Sequence, residues 1–213
     1  VKLIVGLGNP GREYEQTRHN AGWLALDRLI ARHGAGQTSK ARFQSLTWDA
    51  SIPGLDDKAL LMKPTTYMNL SGQAVAEAAR FYKVDPWTDV FVLTDDVALP
   101  IGTIRIRASG SAGGHNGLAD IQRRLGGDRY ARCRIGVDAS PPMIAQRDWV
   151  LGKLTTEDHA RIAPALEQAA DAAEVWAREG AVAAMNRFNG KAGEKARDRK
   201  QDDTPTRAES RED

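Results

Sequence analysis

Asn9, His19, Asn20, Asn69, Asp95, His115 and Asn116 are the residues of this chain best suited to chemistry. A histidine could deprotonate a water, and a carboxylate could hold that histidine in its basic form. Asparagine amides could grip a carbonyl and stabilise the oxyanion formed on it. Such a set suits hydrolysis of an activated ester, because the alkoxide leaves readily and no covalent enzyme nucleophile is needed. The scale is roughly 10²–10⁴-fold from the base and roughly 10²–10³-fold from one oxyanion donor. The plain structural reading stays open beside it, since loops favour asparagine and a histidine at a helix start is commonly structural.

Other chemistries lack their residues. Around Ser111 the sequence is Ser109-Gly110-Ser111-Ala112-Gly113, so the first glycine of G-x-S-x-G is absent. No H-E-x-x-H or P-loop occurs. The single cysteine, Cys133, excludes an internal disulfide and a cysteine-cluster zinc site, and its place in a strand predicts packing. No metal and no cofactor is expected. Residues 6–11, GLGNPG, do spell G-x-G-x-x-G after a short strand, the pattern of a dinucleotide turn. A true turn of that kind has its third glycine in the first turn of a helix. Here Pro10 disfavours helical backbone at Asn9, amphipathic spacing begins only near Asn20, and Ala31 stands where the ribose-binding acid belongs.

The elements that must position these residues alternate. Lys2 to Gly6 reads as a strand, and Asn20 to His33 as a helix stopped by Gly34. Phe43–Ala50 and Ala59–Lys63 read as an antiparallel hairpin, Leu70–Tyr82 as a helix, and VFVLT (90–94) as a buried central strand. Thr103–Arg107 alternates, placing Arg105 and Arg107 on one face. A glycine-rich loop, 110–117, precedes a helix of about ten residues ending at Gly126-Gly127. Arg132–Val137 is a strand, Thr156 is expected to cap a long helix towards Arg178, and Ala181–Phe188 forms a last one. This predicts a single-domain α/β fold over residues 1–190, a three-layer α/β/α sandwich around a twisted mixed sheet. In such sheets the loops beyond the carboxyl ends of parallel strands share one crevice, and the polar residues above fall in those loops.

Bulk properties narrow the partners. The 213 residues hold no apolar run long enough to span a membrane, and the start is too short and glycine-broken for a signal peptide, so a cytoplasmic location is expected. Net charge is +2, but residues 102–134 carry seven arginines against Asp120 and Asp128. That is +5 locally and −3 elsewhere, which suggests a phosphate-bearing partner at one edge. For Arg123, Arg124 and Arg129 a solvated helix face is the favoured reading. Residues 191–213 hold seven basic and seven acidic residues and no aromatic or β-branched apolar one, the composition of a disordered tail.

In several separated motifs the chain resembles the bacterial peptidyl-tRNA hydrolases: VGLGNPG-x-x-Y-x-x-TRHNAG, KP-x-T-x-MNLSG, TDD-x-x-LP-x-G, GSAGGHNGL, RIG and MNRFN. The resemblance covers about residues 2–189 and implies hydrolysis of the ester joining a peptide to the tRNA 3′ end. His19 would be the general base and Asp95 would orient it, while Asn9 would distinguish peptidyl from free aminoacyl substrates. Tyr14, Tyr67, Met68, Asn69, His115 and Asn116 would line or bind the substrate, and Arg107 and Arg134 would clamp tRNA phosphate. The implied partner is the acceptor stem and 3′ end of peptidyl-tRNA, met by a monomer. The sequence departs from the family at Ala98, where an acid is usual, and in Val137–Pro142, which leaves the tRNA contacts of that loop open. A catalytically silent RNA-binding relative of the same fold is the alternative, and a dinucleotide oxidoreductase the weakest one.

Overall fold

The computed structural model describes residues 1–189, and the charged segment 191–213 lies outside the described residues. The strands are β1 (Lys2–Gly6), β2 (Lys40–Arg42), β3 (Ser45–Ala50), β4 (Ala59–Pro64), β5 (Val90–Asp96), β6 (Ile104–Arg107) and β7 (Ala131–Gly136). The helices are α1 (Ala21–His33), α2 (Ser71–Tyr82), α3 (Pro86–Asp89), α4 (Asn116–Leu125), α5 (Gln146–Leu151), α6 (Thr156–Glu179) and α7 (Ala181–Phe188). Two 3₁₀ turns, Arg18–Asn20 and Met68–Leu70, lead into α1 and α2.

The sheet runs β2-β3-β4-β1-β5-β7-β6. Its four inner strands, β4, β1, β5 and β7, are parallel, and β2, β3 and β6 are antiparallel to their neighbours. Inner strands are buried on both faces, which is why they read as continuous apolar runs. One face carries α1, α6 and α7 around Ile4, Leu26, Phe91 and Trp176, with the last two rings stacked at 5.0 Å. The other carries α2 and α4 around Leu3, Val5, Val75, Leu118 and Ile121. The result is the expected three-layer α/β/α sandwich around a mixed sheet. Among the described residues no helix is long and apolar enough to cross a membrane.

Three local features differ from the sequence reading. Phe43 is not in a strand: it and Gln44 form a tight turn with φ of 53° and 50°, between β3 and the short β2. Two left-handed residues suit a two-residue hairpin, but neither is the glycine or asparagine that advertises one. The cap of α6 is Thr155 rather than Thr156, because Asp158 completes a reciprocal capping box with it. Finally, α3 and α5 are too short for periodicity to reveal.

The topology selects a crevice. The chain leaving β1 passes through α1 on one face to reach β4 on one side of β1, whereas the crossover from β4 through α2 on the other face sets β5 on the opposite side, so the strand order reverses between adjacent β1 and β5. Glycine brings the two sides together. A methyl group on Gly22 would lie 2.3 Å from the Leu93 carbonyl and 2.6 Å from the Leu7 nitrogen. Helix α1 can therefore start directly on β1 and β5, which carries His19 to within bonding distance of Asp95. The opening glycines serve packing and turning: Gly6 faces Gly22, and Gly11 takes φ +118°, ten residues before α1 begins.

Candidate active site

At the crevice lies a cleft of about 630 Å³ lined by residues from six segments of the chain. The β1–α1 loop gives Asn9, Tyr14 and His19, and the β4–α2 turn gives Tyr67, Met68 and Asn69. Asp95 and Asp96 end β5, and His115 and Asn116 start α4. Arg134 comes from β7, and Gln146, Arg147, Val150 and Leu151 from α5.

At its centre one carboxylate serves two imidazoles. His19 Nδ1 lies 2.9 and 3.0 Å from the two Asp95 oxygens, and His115 Nε2 lies 2.8 Å from Oδ1. The tautomers follow from the surroundings. His115 caps α4, its Nδ1 accepting from the Gly117 and Leu118 amides at 3.1 and 3.3 Å, so its proton sits on Nε2 and points at Asp95. An ionised Asp95 only accepts, so His19 carries its proton on Nδ1 and keeps the Nε2 lone pair. Among the described residues Nε2 of His19 has no protein partner.

Charge sets the proton affinities. Burial pushes the Asp95 carboxyl up, but attraction to His19 and His115 and the hydrogen bonds from both hold it far below the usual carboxylate range. For His19 burial works downward, and the Asp95 charge and hydrogen bond outweigh it, raising the imidazole above its ordinary value. The pair is a base that Asp95 strengthens.

The rest of the cleft offers donors. The Asn9 backbone is pinned by the buried Asn20, whose Oδ1 accepts from the Asn9 N–H at 2.9 Å and whose Nδ2 donates to the Asn9 carbonyl at 3.1 Å. Asn9 Oδ1 accepts from the Met68 N–H at 2.8 Å, which turns the side-chain NH₂ into an available donor. Arg134 donates to Asp96 at 3.1 Å and to the Ser111 carbonyl at 2.8 Å, and it sits beneath Gly113, where a side chain would crowd its guanidinium. His19, Asp95 and His115 also have the composition of a metal site, their ligand atoms lying within 4.8 Å of one another. Three of the four imidazole nitrogens are already spent in hydrogen bonds, His19 Nδ1 and His115 Nε2 with Asp95 and His115 Nδ1 with the start of α4.

A profile of the family described as peptidyl-tRNA hydrolase matches residues 3–198. The peptidyl-tRNA hydrolase of Symbiobacterium thermophilum is 47% identical over 192 residues, covering 89% of this chain and 99% of that one. That of Brevibacillus brevis is 43% identical, covering 89% and 98%. The chain belongs to the peptidyl-tRNA hydrolase family. The crystal structure of the peptidyl-tRNA hydrolase from Acinetobacter baumannii superposes with a TM-score of 0.81 at 34% identity, covering 89% of this chain and 95% of that one.

Of the positions that the resemblance to peptidyl-tRNA hydrolases singled out, the fold brings ten into the cleft, from Asn9 to Arg134. Arg107 is the exception: it stands exposed on β6, outside the lining. His115 sits closer to the centre than a lining residue, since it shares Asp95 with His19. Sequence reasoning missed the α5 wall, and also its tether. Arg18 stacks on Trp149 at 3.7 Å and donates to the Lys153 carbonyl and to Asp158 at 3.0 and 2.7 Å, joining the His19 turn to α5 and α6. The signal for Arg18 was its place beside His19, which spacing alone could not interpret.

Proposed function

We propose that the chain hydrolyses the ester between the peptide and the 3′-terminal ribose of peptidyl-tRNA, recycling tRNA from stalled translation, with His19 as general base. Nε2 of His19 takes a proton from water as the water oxygen bonds to the ester carbonyl carbon. The Nδ1 proton stays hydrogen-bonded to Asp95, whose charge stabilises the imidazolium. Carbonyl electrons move to an oxyanion faced by asparagine amide donors. Collapse breaks the bond to the ribose oxygen, which receives the proton from His19, leaving a tRNA hydroxyl and a peptide acid.

The observation that carries this reading is the orientation of His19, with Nδ1 spent on Asp95 and Nε2 free in a cleft bearing amide donors. The NH₂ of Asn9 is the donor placed to read a peptide carbonyl, which a free aminoacyl group lacks. Asn69 and Asn116 supply further amides, and Tyr14, Tyr67 and Met68 supply surface for the peptide and terminal nucleotide. Arg107, with its neighbour Arg105, provides the phosphate contacts, and Arg134 provides charge within the cleft. The family resemblance supports action as a monomer, and the substrate places the reaction in the cytoplasm beside ribosomes. No observation favours a silent RNA-binding relative, since base, carboxylate and amides are all in place.

The test compares release of N-acetyl-aminoacyl and free aminoacyl groups from tRNA. Cleavage of the blocked form alone is expected, and equal cleavage of both would contradict the reading.

A further inference from the structure

Strand β6 is four residues long and forms the outer edge of the sheet, the kind of element whose unpaired backbone groups fray. Its alternation buries Ile104 and Ile106 against the α6 and α7 face and sends Arg105 and Arg107 outward on the other. Among the described residues, neither arginine has an ion-pair partner. One side chain closes the open edge. Asn189, at the end of α7, accepts the Ile106 N–H on Oδ1 at 2.8 Å and donates from Nδ2 to the Ile106 carbonyl at 2.9 Å. Its own N–H donates to the Met185 carbonyl at 3.0 Å, so the amide is held by the helix it caps. The side chain thus pairs with Ile106 as another strand would, at the one residue between the two arginines.

We propose that Asn189 is a positioning residue for tRNA binding: it fixes the β6 edge so that Arg105 and Arg107 meet phosphate as a preordered pair. The proposal rests on reading those arginines as phosphate contacts. Ordering the strand beforehand spares the cost of fixing it when substrate arrives, so the effect falls on binding and not on the chemical step. Only a short amide can do this. Aspartate keeps the acceptor but sets a carboxylate oxygen against the Ile106 carbonyl, and leucine keeps the size but loses both bonds.

The test is steady-state kinetics of Asn189→Leu in the full chain. With N-acetyl-aminoacyl-tRNA at low salt, KM is expected to rise about fivefold with kcat within about twofold. Amide exchange at Ile106 should accelerate, by about tenfold or more. With an N-acetyl-aminoacyl ester of the terminal nucleoside alone, which has no stem phosphates, kcat/KM should not move. In an Arg105→Ala/Arg107→Ala background, Asn189→Leu should add nothing. Equal losses on the two substrates, or an unchanged KM on the tRNA substrate, would overturn the proposal. If the leucine variant does not fold, Asn189→Asp is expected to give the same split between substrates. The double arginine variant separates the two levels: if it leaves KM unchanged, the phosphate reading itself fails. If it raises KM while Asn189→Leu does not, only the positioning role fails.

Discussion

Residues scattered between Asn9 and Leu151 converge on one cleft, whereas the seven arginines packed into positions 102–134 disperse. Arg132 is fully buried, stacked on Tyr130 at 4.0 Å and donating to the Asp128 and Tyr130 carbonyls at 2.6 and 3.0 Å and to that of Gly110. Arg134 is paired with Asp96, Arg123 and Arg124 face the buried Asp120, and Arg129 lies 4.6 Å over the Trp87 ring. Of these seven, only Arg105 and Arg107 have neither an ion-pair nor a ring partner among the described residues. Convergence is a property of topology, which gathers the loops at the carboxyl ends of parallel strands. Dispersal is a property of individual side chains, each settled by burial and by the nearest carboxylate. A count of charges sees the second region as one patch, and the structure reduces it to two residues.

The largest effect should come from the cleft. His19→Ala is expected to lower kcat roughly 10²–10⁴-fold while tRNA affinity stays within about twofold. Single-turnover cleavage alongside a binding titration would check it, and equal loss of both would make His19 a contact residue. Asp95→Asn should lower kcat by roughly 10²-fold or more, because the neutral amide no longer stabilises the imidazolium or enforces the Nδ1–H tautomer.

Effects on the flank should be smaller and of another kind. Arg105→Ala and Arg107→Ala should each raise KM roughly threefold to tenfold at low salt, less at high salt, with kcat unchanged. Arg123→Ala should leave KM within about twofold, since that guanidinium is engaged with Asp120. Arg132→Ala should instead lower the melting temperature, because it strips three carbonyls of their donor and opens a void beneath the glycine loop. A KM effect at Arg123 equal to that at Arg107 would dissolve the contrast. Subtlest is Asn9→Asp, which still accepts from the Met68 N–H but loses the NH₂. It should narrow the preference for blocked over free aminoacyl-tRNA, and unchanged selectivity would remove Asn9 from that role.

How much of this was legible in the sequence follows from the same contrast. The inner strands were readable as continuous apolar runs bounded by turn residues, and α1, α2, α4 and α6 because helical spacing over ten or more residues leaves little ambiguity. Motif positions then placed ten of eleven expected residues at the cleft. What stayed hidden depends on contacts made across the chain. The α5 wall is a six-residue helix held by Arg18 from 131 positions away from Trp149. His115 looked like a loop residue until the capping of α4 fixed its tautomer and aimed it at Asp95. The turn at Phe43-Gln44 gave no warning, since its backbone is set by pairing β2 with β3 and not by residue type.

The central claim, that Asp95 strengthens His19 as the base, is tested most directly by the pH dependence of kcat/KM in the native chain and in Asp95→Asn. His19 acts only when neutral, and Asp95 favours its protonated form, so activity in the native chain should fall on acidification with a midpoint above the ordinary imidazole value of about 6.5. Removing the charge leaves burial, which favours the neutral ring, so the midpoint in Asp95→Asn should move to lower pH even as the plateau drops. A midpoint that does not move, or that moves to higher pH, would contradict the account.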